Sequence, residues 1–236
     1  MAQPVIEAVS KAENDNTAST TLTLNVPSGT TDGDLLIVFL CSDGSAASGA
    51  DWNEESGWSR EAYGGNTASD NYIAIQTRVA SSEPASYEFD YAGGVAYRRC
   101  GMMWRLSGVD TTTPVNAVSA VNALGSSTSW QAPSITTDVA DCLQIVMTGF
   151  DGGDATFAVT ETGWTKYGEV RSDTAGAAAS FGIYTKDDTS TSGASGLIDG
   201  TFSTPDGNTV VQIAIAPSGG GGGGGSTFKP RIMMMS

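Results

Sequence analysis

Strict two-residue alternation runs through several stretches of this chain. In residues 72–79, Ile73, Ile75, Thr77 and Val79 take one parity, and Tyr72, Ala74, Gln76 and Arg78 take the other. In residues 99–107, Cys100, Met102, Trp104 and Leu106 alternate with Arg99, Met103, Arg105 and Ser107. A period of two puts each set on one face of a β-strand. The run "LLIVFLC" is apolar at both parities and predicts a central strand covered on both faces. "TLTLNV" and "YEFDY" predict shorter strands, and turn clusters such as "SDGSAASGAD", "YGGNTASDN" and "TPDGN" separate them. No stretch carries a helical stripe over two or three turns.

The pattern is written twice. "GDLLIVFLCSDG" at residues 33–44 answers to "ADCLQIVMTGFDG" at 140–152, and "GWSR" at 57–60 answers to "GWTK" at 163–166. "YIAIQTRVA" answers to "SFGIYTKDD", and "CGMMWRLSG" to "VVQIAIAP". Partners lie 107 residues apart at Gly33 and Ala140, 106 at Gly57 and Gly163, and 108 at Tyr72 and Ser180. An ordered series of matches at nearly constant spacing indicates internal duplication of a β unit. About six strands per half, ten to thirteen in all, predict an all-β fold. It is a two-sheet antiparallel sandwich, jelly-roll-like, built from pseudo-repeats at about 20–109 and 128–217. One sandwich over residues 1–217 is the favoured organisation, and two small tandem sandwiches the alternative. A Gly-rich linker at 218–226 and an extended C-terminal peptide at 227–236 follow.

Composition narrows the chemistry. The net charge is −15 and the pI about 4.1, which argues against binding nucleic acid through its phosphates. There is no histidine, so no Ser-His-Asp or Cys-His catalysis and no His-containing metal site. The three cysteines, Cys41, Cys100 and Cys142, sit in apolar runs and read as buried free thiols. The start "MAQPVIEAVSKAEND" lacks a signal-peptide pattern, and no apolar run approaches a membrane span. The expectation is synthesis in a cytoplasm and no membrane partner.

Several candidate sites can be weighed. Trp58 and Trp164 hold the same repeat position and read as core plugs; Trp52, in a polar loop, is the better candidate for a sugar-stacking platform. Carboxylates in "TDGD" (Asp32, Asp34), "DGGD" (Asp151, Asp154) and "KDD" (Asp187, Asp188) match no full calcium loop. Solvated turns are the favoured reading, with Asp34 and Asp141 as turn residues at strand starts, and a calcium ion is the alternative. A glycosidase would need two suitably spaced acids, one of raised pKa, and these acids lie in polar loops with nothing beside them to raise it. "RRCGMMWRL" concentrates Arg98, Arg99 and Arg105, which suits either a neighbouring subunit's acids or this chain's own.

"GDLLIVFLCSDG", "GWS", "TRVASSEPASYEF" and "WRLSGVDTTTPVN", taken together, resemble a β-sandwich module of tailed-phage structural proteins. The resemblance covers residues 22–217, and its motifs are structural rather than catalytic. It implies a non-enzymatic virion protein without a cofactor, first a capsid decoration or cement protein. A tail or fibre component binding host glycan or another tail subunit is the alternative, ahead of a carbohydrate-active enzyme or lectin. The implied partners are further copies of the chain and the major capsid or tail protein. Seven glycines, Gly219 to Gly225, then tether "STFKPRIMMMS" to the acidic body. Phe228, Ile232, Met233, Met234 and Met235 suit an adaptable apolar pocket, with Lys229 and Arg231 supplying charge and Pro230 extending the backbone. These eight residues are the expected anchor on a neighbour, by addition to a sheet edge.

Overall fold

The computed structural model describes residues 3–14, 18–44, 52–66, 70–92, 96–173, 178–186 and 190–219. The expected anchor at 228–235, and Asp187 and Asp188, lie outside the described residues.

The first half forms β1 (Val5–Glu13), β2 (Thr21–Asn25), β3 (Leu35–Asp43), β4 (Ser59–Asn66), β5 (Asn71–Val79), β6 (Ser86–Asp90) and β7 (Arg99–Ser107). Five of these make an antiparallel sheet in the order β1-β7-β3-β5-β4, and β2 pairs with β6 as a separate ribbon. The second half forms β8 (Val115–Val118), β9 (Asn122–Ala132), β10 (Thr136–Thr137), β11 (Leu143–Asp151), β12 (Phe157–Val159), β13 (Trp164–Arg171), β14 (Ala179–Lys186), β15 (Gly193–Ala194) and β16 (Ile198–Ile215). Its sheet runs β12-β16-β11-β14-β13, with β8 and β9 also on β16, while β10 pairs with β15. The strands beyond the expected number include β8, β10, β12 and β15, which span two to four residues and are too short to show alternation.

The duplication is present in strand order and in register. The series β7-β3-β5-β4 in one sheet matches β16-β11-β14-β13 in the other. Phe39 stands opposite Met102 and Ile75; its equivalent Met147 stands opposite Val211 and Ile183. Even the irregularities repeat: β4 bulges between Arg60 and Ala62, and β13 between Lys166 and Gly168.

The two sheets pack face to face. Leu35, Ile37, Phe39, Ile73, Ile75, Met102 and Trp104 from the first meet Ile145, Met147, Phe181, Ile183, Val211 and Ile213 from the second in one core. Phe39 and Trp104 meet edge to face, their centroids 4.8 Å apart. Burying each such side chain stabilises the fold by about 1.5–3 kcal/mol. The outer faces are covered too. Leu22, Leu24 and Phe89 of the β2–β6 ribbon lie over Leu36, Val38 and Leu40. On the second sheet Trp130, Phe157 and Phe202 join Val146, Phe150 and Tyr184. This is why "LLIVFLC" is apolar at both parities.

Candidate functional site

Alternation decides where the strand ends point. Leu35, Ile37, Phe39 and Cys41 face the central core, so Asp43 at the end of β3 inherits their parity. Leu143, Ile145 and Met147 do the same for Asp151 at the end of β11. These repeat-equivalent acids therefore lie near each other at one end of the inter-sheet seam. Burial pushes Asp151 well above the usual carboxylate range, reinforced by the charges of Asp43, Asp206 and Asp70. Burial also raises Asp43, against the opposing pull of the Arg98 guanidinium. The sequence reading put all acids in polar loops with nothing to raise a pKa; the fold corrects this for Asp43 and Asp151.

Asn71 completes the seam. It is the register partner of Asp43 on β5 and is fully buried. Its amide nitrogen donates to Cys41 Sγ at 3.2 Å, one step deeper in the core. Its Oδ1 has no hydrogen-bond partner, and it faces Gly149, two residues before Asp151 on the same face. Gly149 is required here, since a Cβ would stand 2.5 Å from that oxygen.

Three of the other candidate acids hold turns and strand starts. Asp34 Oδ2 accepts from the Thr31 backbone N–H at 2.8 Å and from Arg105 Nε at 2.8 Å. Asp141 has φ 62°, a left-handed turn conformation at the start of the equivalent strand. Asp32 accepts from the Ser82 N–H at 2.7 Å.

The arginine concentration turns inward to this chain's own groups. Arg105 pairs with Asp34, and Arg98 lies 3.9 Å from Asp173. Arg99 is fully buried, 4.8 Å from the Tyr91 ring centroid and 5.6 Å from that of Trp52, and burial pushes its pKa down to about 10. Trp52 is likewise fully buried, edge to face with Tyr91 at 5.5 Å. It is not an exposed platform: Tyr91 and Arg99, distant in sequence, pack against it. Trp58 and Trp164 are buried as expected. Cys41, Cys100 and Cys142 are buried free thiols, with Cys41 directly opposite Cys100 across β3 and β7.

Sequence reasoning missed the Asp43–Asp151 seam. The signal was there, because both repeat segments end in Asp-Gly, as "SDG" and "FDG". Comparison with protein-family models, curated proteins and solved structures finds no match. Among the described residues, no helix is long and apolar enough to cross a membrane.

Proposed function

We propose that this chain is a non-enzymatic structural protein of a tailed-phage virion, a capsid decoration or cement protein that acts by adhesion. The observation that carries the reading is the placement of the motifs on which the resemblance rests. "GDLL" opens the central strand β3, and "GW" sets a buried tryptophan beside a bulge. The double cover over both sheets fills the body with packed side chains. Adhesion then falls to the peptide beyond the glycines, through Phe228, Lys229, Pro230, Arg231, Ile232, Met233, Met234 and Met235. Binding of the assembled state alone stabilises it by mass action.

The test compares the full chain with a deletion of residues 219–236 for cosedimentation with particles lacking the protein. The reading expects the truncated protein to fold and to lose attachment or oligomerisation. Equal attachment by both proteins would remove the anchor. Binding to host cells or purified glycan instead of particles would move the protein to the tail or fibre.

A further inference from the structure

The outer strands of the two sheets differ in charge. Among the described residues three long strands are bonded on one side only: β1 to β7, β4 to β5 and β13 to β14. β13 carries Lys166, Glu169 and Arg171, and β4 carries Arg60 and Glu61. Of the three, β1 is the acidic one, with Glu7, Lys11 and Glu13 exposed. The Asn14 N–H donates to the Arg99 carbonyl at 3.2 Å, in register with the β1–β7 ladder. Antiparallel bonding to one partner alternates along a strand, so the backbone groups of Val9, Lys11 and Glu13 point away from β7. Beside this edge lies an open crevice of about 360 Å³ between β1 and β13, lined by Lys11, Ala12, Glu13, Glu169, Val170 and Arg171. The flank is not fully covered: Ile6 and Val9 are only partly buried, and Tyr167, 4.5 Å from the Trp104 ring, stays 42% exposed.

The described chain ends beside the start of this strand. Pro217 bridges to Val109, and the Ser218 N–H donates to the Gly108 carbonyl at 2.7 Å. A Cβ on Gly108 would stand 4.0 Å from Pro4 Cα, just before β1. Further along the sequence Phe228, Pro230, Ile232 and Met234 take one parity, and Lys229 and Arg231 the other. That is the pattern of a half-buried strand, and residues 228–236 equal the nine residues of β1 in length.

We propose that residues 228–236 of a second copy of this chain add antiparallel to β1. The apolar parity turns toward the crevice, and Lys229 and Arg231 turn to the outer side, where Glu7 accepts from Ser107 Oγ. The inference rests on the adhesion reading above and names the surface that the peptide takes. Pro230 suits an outermost strand, where its missing N–H faces water. Every pairing within this sheet is antiparallel. Antiparallel addition to the chain's own β1 would begin at Glu13, about 30 Å from the exit. The nine steps from Gly219 to Phe228 cover that distance only when pulled straight, at a large entropic cost for glycine. A second copy meets no such limit. Glu7 and Glu13 also repel the same acidic edge of another copy, which favours the cationic peptide over edge-to-edge pairing.

The experiment uses the full chain and reads self-association by sedimentation velocity over about 1–100 μM, with particle attachment scored separately. The full chain is expected to associate. Glu7→Lys with Glu13→Lys, and separately Lys229→Glu with Arg231→Glu, are each expected to weaken association by about tenfold or more. All four changes together are expected to restore it. Lys11→Pro removes an outward N–H and leaves the bonds to β7, so it should weaken association likewise with an unchanged circular dichroism spectrum. A full chain that stays monomeric throughout overturns the inference. So do double variants that associate as tightly as the unchanged chain, and so does a combined variant that fails to recover. Particle attachment without self-association overturns this inference and leaves the adhesion reading standing. Self-association without particle attachment does the reverse.

Discussion

Trp58 and Trp164 occupy one and the same structural position, once in each sheet. Each follows a glycine in the left-handed conformation, Gly57 at φ 78° and Gly163 at φ 80°. Each precedes a bulge in its strand and plugs the outer core of its sheet. Trp58 is edge to face with Tyr87 at 5.1 Å and with Phe89 at 5.4 Å.

Trp58→Ala and Trp164→Ala should therefore each cost about 3–5 kcal/mol. Because one central core joins both sheets, either change should lower the midpoint of a single cooperative transition. Urea unfolding followed by tryptophan fluorescence and by circular dichroism checks this. Separate transitions for the two halves would show that the shared core does not couple them.

The glycines before these tryptophans separate two costs. A Cβ at Gly163 meets nothing within 4 Å, so Gly163→Ala should pay only for its left-handed backbone, about 1–2 kcal/mol. At Gly57 a Cβ would stand 2.3 Å from Arg78 Nη1, whose guanidinium also binds Glu83. Gly57→Ala should cost more, by the disturbed ion pair. Equal losses in thermal unfolding would mean that Arg78 moves aside freely.

Asp34 sets an acid limit. Burial would raise its pKa, but hydrogen bonds from Thr31 and Arg105 outweigh it and hold the pKa below the ordinary value. A carboxylate depressed in the folded state contributes stability that is complete above its unfolded pKa, near 3.8. That contribution is lost as pH falls through the folded pKa. Asp34→Asn should cost about 1–3 kcal/mol at pH 7 and flatten the acid limb of stability against pH. An unchanged acid limb would show that Asp34 does not supply it.

Strand existence and repeat order were legible because period-two alternation and the "GW" turns are local signals. The coverage of both sheets was legible in the double apolar parity of residues 35–41. Trp52 was not, because its polar neighbours in "DWNEES" look like a loop tip, while Tyr91 and Arg99, which bury it, come from remote strands. The Asp43–Asp151 proximity was hidden for the same reason: 108 residues separate the two, and only the face-to-face packing of the sheets brings them together. Alternation carried across the repeat alignment was enough to place both acids inward.

The proposed role as a capsid-bound structural protein can be settled by counting the chain in intact purified particles. Quantitative mass spectrometry against the major capsid protein, with its position read by electron microscopy, gives that number. A decoration protein should be present in hundreds of copies distributed over the capsid surface. A few to dozens of copies confined to the tail, or none in the particle, would contradict it.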